Sequence, residues 1–292
     1  MAVAEPFRVE LPRSGRLRRS PRLEAFGRVG WVDRVAFAGV VIVTLIAIFA
    51  PLIAPYPASA TPGAPFIHPF HGGFLLGTDD VGRDIFSRVL FGIQSTWLSA
   101  LLVISSGVLI GGFVGLVAGA SGGWIDAVLM RTTDIFLALP GPVLAITIVA
   151  ALGPSLWHTL IAVMIVWWPL YARIVRGEVK ALASRPHMEA ARLAGVGRTR
   201  RTFRHLMPGA VPSTVVAASL DVSALIITLS SLSFLGLGAP APAPELGAMS
   251  ARGINYLISY SWIPLIPALA VFFVAIVANL AGDGARDLIG DR

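Results

Sequence analysis

Six long apolar stretches alternate with polar segments in this chain, and they restrict the folds open to it more than any other feature. They cover residues 35–54, 96–120, 128–152, 157–174, 209–232 and 262–281. A helix that crosses the roughly 30 Å hydrocarbon layer of a bilayer needs about 20 mostly apolar residues. The pattern therefore predicts an all-α membrane protein with six transmembrane helices. Glycines recur in the second stretch, from Gly107 to Gly119, which predicts close packing against another helix.

The composition excludes several other classes of protein. Hydrophobic residues make up 55% of the chain and charged residues only 13%, with a mean hydropathy of +0.78, which is too apolar for an ordinary soluble domain. The chain has no cysteine, so disulfides, thiolate metal sites and cysteine nucleophiles are excluded. The net charge of +7 does not indicate nucleic-acid binding, because the arginines cluster beside the apolar stretches.

The distribution of arginine predicts the orientation of the chain in the membrane. Residues 1–34 contain eight arginines, and residues 172–208 contain eight more together with the only lysine. The loops expected on the opposite side contain just Arg83, Arg88 and Arg252. Because positive residues favour the cytoplasmic side, we expect both termini to lie inside the cell.

This topology divides the chain into two parts. Residues 1–34 would form a basic cytoplasmic tail, and residues 35–292 a transmembrane domain. Within that domain we expect an extracytoplasmic loop at about residues 55–95 and a cytoplasmic loop at about residues 175–208.

The predicted cytoplasmic loop contains two short helices. The first begins near Arg185 and ends at Ala194, where Gly195 supplies a backbone conformation that a β-carbon disfavours. A second, basic helix is predicted over residues 198–206 and should end before Pro208. Composition alone favours a surface helix that carries topology-setting arginines.

The same loop resembles the E-A-A-x-x-x-G signature of permeases of ATP-binding-cassette (ABC) importers. The residues that carry the resemblance are Glu189, Ala190, Ala191 and Gly195, followed by His205 and Pro208. Three further segments are similar to the dipeptide, oligopeptide and nickel branch of that family, at residues 76–88, 233–249 and 279–287. Together these segments extend the resemblance over residues 35–292. Importers of this branch usually have two different permease subunits, and this chain resembles the shorter one. Gly209 departs from the pattern, which typically has asparagine there.

The resemblance implies the transmembrane domain of a type I ABC importer, with a mechanical role for the loop. The residues that would couple to an ATPase are Glu189, Ala190, Ala191, Gly195, His205 and Pro208. ATP and magnesium would bind two separate ATPase subunits or domains, since this chain has no phosphate-loop motif and would bind no cofactor itself.

The other implied partners are a second homologous permease subunit, an extracytoplasmic substrate-binding protein and the lipid bilayer. Similar importers carry dipeptides, longer peptides, nickel complexes, glutathione or haem. The resemblance therefore leaves the substrate open.

Charged residues are concentrated just before the second apolar stretch. They are Asp79, Asp80, Arg83, Asp84 and Arg88. Neighbouring opposite charges usually pair, so we predict a structural ion-pair cluster. No EF-hand spacing is present, and His68 with His71 supplies too few ligands for a metal site.

Polar residues within the apolar stretches are costly and often functional. Arg131 and Asp134 are three residues apart, which predicts a pair on one helix face. Asp221 and Thr228 lie two helical turns apart, hence on roughly the same face. Asp221 either lines the translocation path, where it would meet a cationic group of the substrate, or makes a hydrogen-bonded contact between helices. The sequence favours neither.

Two other functions fit a protein with several membrane spans. A secondary transporter or channel would carry ion-coupling residues in broken helices and would need no docking loop. An intramembrane enzyme would need a nucleophile facing a base, and no hydrolase or metalloprotease motif occurs. A non-catalytic permease subunit of an ABC importer is therefore the leading hypothesis.

Overall fold

A computed structural model describes residues 30–290, and within this range the chain is a bundle of helices without a β-strand. Most of the basic tail predicted for residues 1–34 lies outside the described residues. The helices are α1 Trp31–Ile53, α2 Ile85–Ser121, α3 Gly123–Leu137, α4 Gly141–Leu152, α5 Leu156–Ala183, α6 Pro186–Leu193, α7 Arg198–Arg201, α8 Met207–Phe234, α9 Leu246–Gly253 and α10 Trp262–Gly290. A π-helical turn, Thr202–Leu206, joins α7 to α8, and a 3₁₀ turn, Ile254–Tyr256, follows α9.

Five helical segments of the described chain are long and apolar enough to cross a membrane: α1, α2, α5, the continuous segment from α7 to α8, and α10. The bent pair of α3 and α4 makes a sixth if it crosses as one unit. The prediction of an all-α membrane protein is therefore confirmed. α2 begins well before residue 96 because the carboxylate of Asp84 caps it, accepting a hydrogen bond from the backbone N–H of Ser87 at 2.8 Å.

The third predicted span, residues 128–152, is wrong as a single helix. α3 and α4 are separate and meet at an angle of 82°. Pro140 directly precedes α4. A proline has no N–H with which to continue the hydrogen bonds of α3, and its ring disfavours a helical conformation in the residue before it. The helix therefore breaks there.

The predicted end of the basic helix before Pro208 is also wrong. The helix continues through the π turn into α8, and Pro208 occupies the first turn of α8. In the π turn the N–H of Met207 pairs with the carbonyl of Thr202, five residues back. The hydrogen-bond register shifts ahead of the proline, so the chain stays helical through it. The basic segment is thus continuous with a membrane-spanning helix.

Glycines on α2 allow it to lie directly against α5. A β-carbon at Gly111 would clash with the carbonyl oxygen of Trp168, and one at Gly115 would clash with that of Ala172. Gly112, by contrast, faces open space. The predicted packing face is confirmed, and it consists of the glycines that point toward α5.

Three apolar clusters stabilise the middle and the two ends of the bundle. The largest joins α1, α2, α4, α5, α8 and α10. A second lies where α2, α5 and α8 meet α6, and a third lies where the start of α2 packs against α9 and α10. The second cluster fixes the position of the loop that sequence analysis singled out.

Candidate functional site

Helix α6 lies at one end of the bundle and is anchored there by a methionine. Met188 is 5% exposed. It packs in the second apolar cluster with Leu116, Val175, Val179, Leu206 and Ala210. A helix of eight residues is too short to be stable alone, so this contact with the spanning helices holds it in place.

Gly195 ends α6 in the left-handed backbone conformation, with φ of +75°. The N–H of Val196 donates to the carbonyl of Ala191 at 3.0 Å, which closes the last turn. Open space surrounds the position where a β-carbon would be, so room is not what requires a glycine. The requirement is the positive φ, which strains any side-chain-bearing residue. The predicted end of the helix at Gly195 is confirmed.

The face of α6 opposite Met188 is exposed and consists largely of small side chains. Ala190 and Ala194 are exposed on it, and Leu193 is 82% exposed. Glu189 is exposed at its edge. Small side chains permit another protein surface to approach closely, while an exposed leucine offers it apolar area to bury. This face can therefore dock a partner.

The two remaining predicted coupling residues lie on the next helical segment and not on α6. His205 is exposed in the π turn, and Pro208 is exposed in the first turn of α8. The structure thus distributes the predicted residues over two helical segments at the same end of the bundle.

A buried carboxylate that sequence analysis did not single out ties α3 to α5. Asp126 is 7% exposed, and its Oδ1 accepts a hydrogen bond from Nε of Arg176 at 2.5 Å. Its Oδ2 accepts from Nη2 of Arg176 at 2.9 Å and from Nζ of Lys180 at 2.6 Å. Arg176 and Lys180 are four residues apart on α5, and this spacing on one helix face was the available sequence signal.

The predicted pair of Arg131 and Asp134 is wrong. Asp134 accepts instead from Nη2 of Arg173 on α5, at 2.6 Å. An ion pair between residues three apart on one helix stabilises the helix by only a few tenths of a kcal/mol. Because α5 runs beside α3, it brings the guanidinium of Arg173 directly to the carboxylate of Asp134. Both side chains are about half exposed, at 53% and 44%.

The charged residues before α2 form only part of the predicted cluster. Nε of Arg83 donates to Oδ2 of Asp79 at 2.6 Å, and Asp80 lies 3.8 Å from the guanidinium of Arg83. Nε of Arg88 lies 3.8 Å from Oδ2 of Asp79 and so also belongs to the cluster. Asp84 does not pair with an arginine, because its carboxylate accepts from the N–H and the hydroxyl of Ser87. Within residues 30–290 no group of three or more potential metal ligands occurs.

Arg88 connects this loop to the segment before α9. It is 2% exposed, and its Nη1 donates to the carbonyls of Ala58 at 2.7 Å and Pro242 at 3.1 Å. Arg252, on α9, donates to the carbonyl of Ala243 in the same segment at 3.0 Å. Burial lowers the pKa of Arg252, and the nearby Arg83 lowers it further. Arg88 and Arg252, which sequence analysis placed in the outer loops, thus hold the loop segments together at that end of the bundle.

Asp221 makes a contact between two spanning helices. Its Oδ2 accepts from Nε1 of Trp167 at 3.2 Å and from the hydroxyl of Tyr171 at 3.0 Å, both on α5. Thr228 donates to the carbonyl of Ala224, one turn back on its own helix. The geometry supplies the interhelical contact that sequence analysis considered for Asp221, and the role of Thr228 stays a prediction.

Comparison with known proteins gives a consistent assignment. A family model described as "Binding-protein-dependent transport system inner membrane component" matches residues 107–292. A dipeptide transport system permease protein of Alkalihalophilus pseudofirmus is 37% identical over 276 residues, which cover 94% of this chain and 90% of that protein. A glutathione transport system permease protein of Pectobacterium atrosepticum is 40% identical over 217 residues, covering 74% of this chain and 72% of that protein.

The fold is also found among solved structures. An inward-facing structure of the MetNI methionine ABC transporter contains a chain that superposes with a TM-score of 0.57. The match covers 70% of this chain and 97% of the other, at 20% sequence identity. The two chains share the helical fold.

Proposed function

Since this chain belongs to the family of binding-protein-dependent transport system inner membrane components, we propose that it forms half of the membrane channel of an ATP-driven importer of short peptides. It is a non-catalytic permease subunit with several spans in a bacterial inner membrane. The observation that carries the proposal is α6, which buries Met188 in the bundle and exposes Ala190, Leu193 and Ala194 on its opposite face.

Helix α6 is the coupling helix in this proposal. A cytoplasmic ATPase binds the exposed face, and Glu189 at its edge makes a charge-assisted contact with that subunit. Met188 transmits the displacement through the second apolar cluster, whose other members include residues of α2, α5 and α8. His205 and Pro208 lie on the segment continuous with α8, so a force on the loop acts on a spanning helix directly.

The assembly contains two ATPase subunits or domains, which bind ATP and magnesium, and a second homologous permease subunit. An extracytoplasmic substrate-binding protein delivers the cargo to the opposite face. Both termini and the coupling helix lie in the cytoplasm, since the arginine-rich segments then satisfy the positive-inside preference. ATP binding draws the coupling helices together and opens the bundle outward, and hydrolysis resets it.

The substrate class rests on the relatives. They are named as dipeptide and glutathione transport proteins, and glutathione is itself a short peptide.

For Asp221 we assign the interhelical contact, because its carboxylate already accepts hydrogen bonds from Trp167 and Tyr171. Thr228 is the better candidate for a residue of the translocation path. Membership of this family argues against the alternative of a secondary transporter or channel.

Co-purification of the cognate ATPase tests the proposal. We expect the ATPase to be retained by the wild-type permease and lost from Leu193→Asp, which places a charge in the proposed docking face. The matched control is Leu257→Asp, at an exposed leucine near α9, at the opposite end of the bundle. Retention by Leu193→Asp, or equal loss from both variants, contradicts the assignment of α6 as the coupling helix.

A further inference from the structure

A second feature of the α6 region is an open pocket on the side of that helix that faces the bundle. Its volume is about 470 Å³. The lining residues are Gly119, Ala120, Ala183, Met188, Glu189, Arg192, Arg198, Arg201, Thr202 and Leu206. Its apolar floor consists of the ends of α2 and α5 together with Met188 and Leu206, and its walls carry the charges.

The charges of the pocket are predominantly positive. Arg192, Arg198 and Arg201 outnumber Glu189, which is the one acidic side chain of the lining. Three guanidinium groups against one carboxylate leave the lining with an excess of positive charge, which favours an anionic occupant.

The pocket and the docking face occupy opposite sides of α6. Met188 and Arg192, one turn apart, line the pocket, while Ala190 and Ala194 lie on the other side of the helix. Glu189 lies at the border of the two, so a protein that contacts Ala190 and Ala194 reaches the edge of the pocket but not its floor between the helix and the bundle. The occupant has to be small enough to enter between the helix and the bundle.

We propose that this pocket binds a phosphate group. Guanidinium groups present planar pairs of N–H donors that match phosphate oxygens, and such charge-assisted hydrogen bonds are among the strongest in proteins. The pocket floor includes Gly119 and Ala120, at the end of the apolar stretch of α2, and a spanning helix passes from the hydrocarbon layer to the lipid headgroups where its apolar stretch ends. The phosphate can thus come from an anionic lipid headgroup or from a soluble phosphate compound.

A bound phosphate would connect α6 to the segment that continues into α8. Arg192 belongs to α6, whereas Arg198 and Arg201 belong to α7. One anion that accepts hydrogen bonds from both sides would stabilise the loop in one arrangement. This inference goes beyond the proposed function, because it needs neither an ATPase nor a transported substrate.

Two binding measurements on the purified full-length permease test the inference and separate the two sources. Native mass spectrometry measures retention of phosphatidylglycerol relative to phosphatidylcholine, and calorimetry measures binding of inorganic pyrophosphate. The test variants are Arg201→Gln and Arg192→Gln. The matched control is Arg200→Gln, since Arg200 is adjacent and exposed but does not line the pocket.

We expect at least one of the two probes to bind about tenfold more weakly to each test variant, and equally well to wild type and Arg200→Gln. Selective loss of phosphatidylglycerol assigns the lipid headgroup, and selective loss of pyrophosphate assigns a soluble ligand. Should Arg201→Gln fail to fold, Arg192→Gln carries the test, because Arg192 is exposed. If neither probe distinguishes the test variants from Arg200→Gln, the inference is overturned.

Discussion

The charged side chains at the two ends of the bundle differ in their exposure to solvent. At the end that includes α9, Arg88 is 2% exposed and its Nη1 donates to the carbonyls of Ala58 and Pro242. At the end that includes α6, Glu189 and Arg192 are exposed and line an open pocket. The first end holds its buried arginine through contacts inside the chain, whereas the second exposes its charged groups to solvent.

The contrast follows from the cost of burying a charge. A buried ion is tolerated only when hydrogen bonds replace the water it loses, so the charges near α9 hold loops together and cannot easily move. Exposed charges remain solvated and free to exchange water for a partner. Asp126 is the exception near α6, because its carboxylate is buried and fully paired with α5.

The largest expected effect is that of Arg88→Met, which tests whether the α9 end depends on its buried arginine. The substitution leaves carbonyls of two loops without their donor and should lower the free energy of unfolding by about 3 kcal/mol. Thermal unfolding of the purified protein in detergent measures it. Arg131→Met is the control, since Arg131 is exposed and should change stability by no more than about 0.5 kcal/mol. If Arg88→Met and Arg131→Met are equally stable, the α9 end does not depend on its buried arginine, and the proposed difference between the two ends is contradicted.

Asp126→Asn should have the next largest effect. An amide keeps the shape of the carboxylate but loses its charge, so the bonds to Arg176 and Lys180 weaken and stability falls by about 2 kcal/mol. Asp134→Asn is the matched control, because its ion pair with Arg173 is half exposed and contributes less than about 1 kcal/mol. The same unfolding assay distinguishes them, and a larger loss for Asp134→Asn would contradict the role of burial.

Gly195→Ala should cost about 1 kcal/mol and reduce retention of the ATPase. Gly195 has a positive φ, whereas Gly197 has φ of −58°, and both positions are surrounded by open space. The added methyl group is therefore strained only at residue 195. Gly197→Ala is the control and should retain the ATPase fully. A difference between the two variants would support the proposal that the conformation at the end of α6 is needed to bind the ATPase. Identical retention of the ATPase by both variants would contradict that proposal.

Asp221→Asn should have the smallest effect. Its amide oxygen still accepts a hydrogen bond from Tyr171, so we expect a loss of stability below about 1 kcal/mol and unchanged uptake of peptides. Uptake into proteoliposomes that contain the complete transporter measures it. Loss of uptake of positively charged peptides alone would instead assign Asp221 to the translocation path.

Most of the fold was predictable because its signals are local. Apolar length predicted the spanning helices, and glycine spacing predicted the face of α2 that packs on α5. The glycine at position 195 made the end of α6 predictable from one residue, because glycine readily adopts the positive φ that ends a helix. Pro140 gave a local signal for the break between α3 and α4, and Pro208 gave a false one, since the π turn before it preserves the helix.

The partners of the charged side chains were not predictable in this way. Asp126 and Arg176 are 50 residues apart, and Arg88 and Pro242 are 154 apart. The sequence analysis paired Arg131 with Asp134 because they are neighbours on one helix, and the structure gave Asp134 to Arg173 on another. Which side chains meet over such separations depends on how the helices lie against each other.

The amino-acid sequence by itself determined that this protein is a helical bundle in a membrane with a basic loop carrying a short, glycine-terminated helix. Hydrophobic length and backbone sterics act over a few residues, so they can be read along the chain. Only the tertiary structure decided that α6 exposes one face to solvent and lines, with its other side, a pocket that contains three arginines. That division depends on the burial of Met188 among α2, α5 and α8, which no local pattern specifies.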